Sequence, residues 1–189
     1  MNKQTFALLS FLVLITAVLV FFAVSSPSEK KEVAPQPTVA VQQPTPSLVQ
    51  TVMSLSPNPV EVSSNSGTVD VNVDTANNNI TGVQLELSYD PNVLTNVQVS
   101  PASFFDAPSV LINNIDTKNG KISYAIVIPP TGEAKKGVGI VATIKFNIKK
   151  GATANQTQIE FLPKSLVTAE GLAYSVLKST SDTIVIISK

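Results

Sequence analysis

Gly82-Val83-Gln84-Leu85-Glu86-Leu87-Ser88-Tyr89-Asp90 alternates polar and apolar side chains without a break. Val83, Leu85, Leu87 and Tyr89 share one phase and Gln84, Glu86 and Ser88 the other, which is the period of a strand with one buried and one wet face. The stretch ends at Asp90-Pro91. An aspartate there can accept backbone N–H groups in an Asx-type turn, and proline fixes φ so that the chain leaves the sheet. Asp90 therefore reads as structural, and Gly82 as a bulge or a place where another backbone comes close.

The same period recurs on both sides. Residues 68–74 put Val69, Val71 and Val73 on one face, and residues 138–148 do so with Ile140, Ala142, Ile144, Phe146 and Ile148. Residues 110–116 and 121–128 flank Lys118-Asn119-Gly120, and Asn-Gly suits the positive φ angles of a type I′ hairpin turn. Further strands are expected at 52–55, 95–99, 157–162 and 183–188, making about nine. Short strands at this spacing, rich in Val, Ile and Thr and with no helical periodicity between them, indicate an all-β domain built as a sandwich or jelly roll.

Residues 1–50 follow different rules. The run 6–24 carries no charge over nineteen residues, about 28 Å as a helix and enough to cross a bilayer. It reads as a transmembrane anchor or a secretory signal, with Ala23-Val24-Ser25 offering a cleavage site. Lys3 is the only charged side chain before it, which favours the amino end inside and the body outside. Residues 25–50 hold five prolines among Ser, Thr and Gln, a composition that cannot bury enough surface to fold and serves as a tether. The expected organisation is thus an anchor at 1–24, a linker at 25–50 and a domain at 51–189, membrane-held outside the cytoplasm or secreted if the signal is cleaved.

Thirteen lysines balance thirteen carboxylates, and arginine, histidine, cysteine and tryptophan are absent. No basic footprint for nucleic acid exists in such a chain. Most groups used for nucleophilic attack, proton transfer near neutrality and zinc ligation are also missing, so no enzyme is expected. Glycoside hydrolysis needs two opposed carboxylates, and the acidic residues show no pattern that pairs two in a cleft.

The segment Ile80–Leu94, with its strand running into Tyr89-Asp90-Pro91 and a leucine shortly after, resembles the most recognisable stretch of cohesin domains. Gly120-Lys121-Ile122-Ser123-Tyr124-Ala125 is similar to that family's central strand, and Gly139–Phe146 to its glycine-to-phenylalanine strand. The resemblance spans most of residues 51–189. It implies a nine-stranded jelly-roll sandwich whose first and last strands close the sheets. It also implies capture of dockerin modules, small calcium-loaded helical domains of polysaccharide-degrading enzymes, through one sheet face, with calcium on the partner.

On the strands that would form that face, the outward phases supply Gln84, Glu86, Ser88, Leu111, Asn113, Ser123, Ala125, Val127, Gln158, Glu160 and Leu162. The face reads either as an ordinary wetted side of an antiparallel sheet or as a binding plateau, and Leu111, Val127 and Leu162 point to the second, because a sheet that meets only water gains nothing from exposing them. A one-residue slip of register would reverse these assignments. Two other readings stand beside docking: a carbohydrate-binding module, for which only Tyr174 could stack on a sugar, and a structural or adhesive surface domain. Asp70, Asp74, Asn77, Asn78 and Asn79 are hard oxygen donors that could hold calcium, but without Asp-x-Asp-x-Asp-Gly spacing the run reads as a turn. Lys135-Lys136 reads as a solvated loop tip.

Overall fold

A computed structural model describes residues 48–188; the apolar run 6–24 and most of the proline-rich segment lie outside the described residues. Among the described residues no helix forms, and so none is long and apolar enough to cross a membrane. Twelve strands do: β1 (Thr51–Ser56), β2 (Val60–Val62), β3 (Ser66–Asp74), β4 (Ile80–Tyr89), β5 (Leu94–Pro101), β6 (Ser109–Asp116), β7 (Lys121–Val127), β8 (Val138–Ile148), β9 (Gln156–Phe161), β10 (Leu166–Ala169), β11 (Leu177–Ser181) and β12 (Thr183–Ile187). They form two sheets, ordered β11-β1-β3-β8-β5 and β2-β12-β9-β4-β7-β6, with β10 beside β9 on the same edge of β4.

The nine expected strands are all present, and β2, β10 and β11 are added to them. These three are too short to show a period. Two of them arise because the first and last strands each switch sheets. β1 belongs to the first sheet and β2 to the second, and β11 and β12 repeat the pattern. Pairing is parallel at both crossings, β1 with β11 and β2 with β12. The corner between them is tied by side chains: Asn58 Nδ2 donates to the Asp182 carbonyl at 3.1 Å and Thr183 Oγ1 donates to the Pro57 carbonyl at 2.7 Å.

Inward phases of both sheets meet in one core. Val69, Val71 and Val73 of β3 and Met53 of β1 face Leu85 and Leu87 of β4 and Tyr124 and Ile126 of β7, all buried. Burying one such aliphatic side chain contributes about 1.5–3 kcal/mol, and the alternation in β4 places three of them, Val83, Leu85 and Leu87, in five residues. Tyr124 is wholly buried, and among the described residues its hydroxyl has no hydrogen-bond partner; burial holds its pKa up at about 12.

Three local expectations are overturned, the first two in strand phase and turn type. Ile140 does not follow the inward phase of β8, because Val71 pairs with Ala142 but the next residue, Asn72, pairs with Ile140. Val141 is the extra residue of this bulge and takes the core position, while Ile140 joins the outward phase of Asn72. The β6–β7 hairpin exists but its turn is not type I′, which needs positive φ at both Asn119 and Gly120. Only Gly120 has it, at +63°. Asp116 Oδ1 accepts the N–H groups of Lys118 and Asn119, each at 3.0 Å, and its Oδ2 accepts Asn119 Nδ2 at 2.7 Å, winding a right-handed turn that Gly120 closes. A Cβ at Gly120 would lie 2.0 Å from the Tyr89 carbonyl oxygen, so glycine is required for the hairpin tip to press on the Tyr89-Asp90-Pro91 corner.

At that corner Asp90 Oδ1 accepts the Asn92 N–H at 2.8 Å, the Asx turn expected from the sequence. The Asn77–Asn79 run is likewise a turn: Asp74 Oδ1 accepts the Ala76 N–H, and buried Asn78 donates to Thr51 Oγ1 at 3.0 Å. Lys135 is not a free loop tip. Its backbone pairs with Ile80 in both directions and its ammonium pairs with Asp106.

Candidate partner-binding face

Residues directly opposite in an antiparallel pair point to the same side of a sheet, so the register of the second sheet fixes what its outer face presents. One row runs Glu160, Ser88, Lys121, Asp116 across β9, β4, β7 and β6. The next holds Glu86, Ser123 and Asn114, and the third Gln84, Ala125 and Ile112, with Leu166 of β10 opposite Gln84. The last row is Thr168, Gly82, Val127 and Ser109.

Glu86 stands at the centre, carried outward because Leu85 and Leu87 on either side are locked in the core. Its Oε1 accepts Gln84 Nε2 at 3.0 Å and its Oε2 accepts Ser123 Oγ at 2.7 Å. Its backbone is fixed as firmly. β9 pairs with β4 from Leu87 onward and β10 up to Gln84, and in the gap the Ser165 hydroxyl accepts the Glu86 N–H and donates to the Glu86 carbonyl, each at 3.0 Å. The Leu162 N–H adds a 2.7 Å bond to the same carbonyl. A carboxylate held this way has its geometry set before a partner arrives, while its unused lone pairs can still accept donors.

An aliphatic shelf borders this polar centre. At the β6 edge Leu111 is 64 % exposed and Ile112 40 %, and Val127 lies half-buried over Gly82, where any Cβ would meet Val127 Cγ1 at 2.8 Å. The close approach expected at Gly82 is therefore the seat of Val127. On the far side, Ile184 and Ile186 of β12 are also exposed.

Of the residues assigned to the face from sequence, Gln84, Glu86, Ser88, Ser123, Val127 and Glu160 share its outward phase, and Gln158 lies in it opposite Ile184. Ala125 points the same way but is buried beneath its neighbours, and Leu162 sits half-buried just past β9. Asn113 is misplaced. Val110 pairs with Ile126 but Ile112 pairs with Ala125, so Leu111 is a bulge residue and everything after it is shifted. Asn113 consequently faces inward opposite Tyr124, with Nδ2 donating to the Val99 carbonyl across the sandwich at 3.4 Å. Ile112 and Asn114 take the outward phase instead. Val110-Leu111-Ile112 is apolar in both phases, so nothing in its pattern marks the slip.

At the hairpin end, hydrogen bonds from the Asn119 side chain and backbone hold the Asp116 carboxyl below its ordinary value. Burial, with the Asp116 charge beside it, raises the Tyr89 hydroxyl. Tyr174, the one ring expected to be available to a sugar, is exposed.

The model of the cohesin domain matches residues 58–187 of this sequence. The fold is shared with a type I cohesin in the Coh-OlpA-Doc918 cohesin–dockerin complex from Clostridium thermocellum, at a TM-score of 0.60 and 16% identity over 74% of this chain and 99% of that one. The sixth cohesin of Acetivibrio cellulolyticus scaffoldin B, solved with a Cel5 dockerin mutant, superposes at 0.58 with 19% identity over 73% and 99% of the two chains. A non-cellulosomal cohesin from the hyperthermophilic archaeon Archaeoglobus fulgidus superposes at 0.55, also at 19% identity, over 74% and 92%. A sequence search of curated proteins finds no match.

Proposed function

This chain belongs to the cohesin domain family, and from that premise we propose that it is a non-catalytic docking module which captures a dockerin-type partner on the outer face of β9, β4, β7 and β6. The observation that carries the reading is Glu86, a carboxylate preset by Gln84 and Ser123 beside the exposed Leu111–Ile112 shelf. Ordered acceptors surrounded by apolar surface that excludes water are the composition of an interface centre. Ser88, Val127, Glu160 and Leu162 complete the contact area.

The test is capture of a calcium-loaded dockerin protein by the immobilised full chain, with and without chelator. Retention that chelator abolishes, and that is lost in Leu111→Asp and Val127→Asp variants with unchanged thermal unfolding, supports the proposal. Normal binding by both variants rules the face out.

The further organisation we propose places residues 1–24 in the membrane and residues 25–50 as a spacer, with the domain outside the cytoplasm and its partner in polysaccharide degradation. Carbonate-resistant membrane association of the full chain, lost on deletion of residues 6–24, is the expected result.

A further inference from the structure

One end of the sandwich carries an open cavity of about 760 Å³, lined by none of the residues in the rows of the docking face. It is formed where the β2–β3 turn, the start of β5, the end of β8 with the turn after it, and the end of β12 converge. Among the described residues its lining contains Ser64, Asn65, Asn96, Asn147, Lys149 and Lys150 and no carboxylate, although the chain as a whole balances thirteen acidic residues against thirteen basic ones. Among the described residues neither lysine is ion-paired. Lys149 is nonetheless fixed in place, its ammonium donating to the Pro91 carbonyl at 3.1 Å with two N–H groups to spare.

Asn96 supplies a second and independent observation. β5 bulges against β8 between Thr95 and Gln98, and within that bulge Asn96 holds φ at +50°, the left-handed region that asparagine adopts more readily than most side chains. A bulge re-aims the side chain it carries, and here the re-aimed amide lines the cavity. Amides and hydroxyls that both donate and accept suit the ring hydroxyls of sugars, and a lysine pair without competing carboxylates suits an anion.

We infer that this cavity, built on Asn96, Asn147, Lys149 and Lys150, is a binding site for uronate-bearing oligosaccharide. Its volume takes two to three sugar rings, within the ordinary range of ligand clefts. Without an aromatic platform the affinity is modest, and because the lysines are exposed it falls as salt is added.

The test titrates the full chain with trigalacturonate, cellotriose and inorganic phosphate by calorimetry, alongside Lys149→Gln/Lys150→Gln and Asn96→Gly variants. Asn96→Gly keeps the backbone comfortable at positive φ and removes only the amide, so its thermal unfolding is a control for folding. Trigalacturonate is expected to bind at least about tenfold more tightly than cellotriose or phosphate, and each variant to lose about that much through its missing hydrogen bonds. Equal binding of cellotriose, binding of phosphate as tight as trigalacturonate, unaltered binding by both variants, or no heat with any ligand would each overturn the inference. Dockerin capture by the same variants stays normal in every case, which keeps this site separate from the docking face.

Discussion

The two outer faces of this sandwich are built over the same core and differ in what they do with their polar groups. On the first sheet the outward residues satisfy one another across strands: Asn72 Nδ2 donates to Ser56 Oγ at 2.6 Å and Thr143 Oγ1 to Asp70 Oδ1 at 2.7 Å. Its one large exposed aliphatic side chain, Val138 at 75 %, stands at a strand end. On the second sheet the polar groups converge on a single carboxylate and exposed aliphatic residues flank them. The difference teaches that polarity alone does not separate a wetted face from a binding one. What separates them is whether the polar groups close on each other in strand pairs or gather at a centre that apolar surface can seal.

The comparison can be broken first at the core, where the two faces should be equal. Met53→Ala behind the first sheet and Leu87→Ala behind the second should each lower the urea-derived unfolding free energy by about 2–5 kcal/mol. A much smaller loss at one of them would mean that the two sheets do not share one core. Affinity should then divide the faces. Glu86→Ala leaves Gln84 and Ser123 without their acceptor and should weaken dockerin capture by about 10- to 100-fold, the size of an interface-centre truncation; Asp70→Ala on the first face should change it less than about twofold. Equal losses would erase the distinction drawn here.

Smaller effects sharpen it. Tyr124→Phe removes a buried hydroxyl that bonds to nothing among the described residues, so stability should stay level or rise by up to about 1 kcal/mol. Because the folded pKa of Tyr124 lies at about 12 against an ordinary 10.0, the unfolded chain loses its proton first as pH rises. The contribution is complete below pH 10 and is lost from there through 12, which alkaline unfolding followed by tyrosine absorbance should show and Tyr124→Phe should reduce, leaving the smaller part that comes from Tyr89. Asp116 works in the opposite sense. Its carboxyl is held low in the folded hairpin, so its contribution is present above the ordinary carboxylate value and disappears as pH falls through the lowered one; carboxyl NMR titration should find it below its ordinary 3.8.

Much of this architecture was legible because strand period is a local property. Val83, Leu85, Leu87 and Tyr89 announce their burial in their own spacing, and Asp90-Pro91 announces the turn. What could not be read is set by pairing between distant segments. The bulges at Val141 and Leu111 are decided by the partner strand, and each reverses the phase of what lies beyond, which takes Ile140 out of the core phase and turns Asn113, exposed at the sheet edge, to the inner side. The turn at Asn119-Gly120 departs from type I′ because Asp116, three residues before Asn119, imposes its own geometry. For the candidate site, β4 and β7 were readable from alternation, and the edge strand β6, apolar in both phases, was not.

The two parallel pairings made where the first and last strands switch sheets also set how the domain bears load. β1 lies beside β11 and β2 beside β12, all running the same way, so the chain enters at one end of this seam and leaves at the other. Tension applied through those ends runs along the strands and across their hydrogen bonds, which must then yield together in shear and cannot peel apart one at a time. The Asn58, Thr183 and Asp182 ties at the corner sit midway along that seam, where they rivet its two halves into one mechanical element.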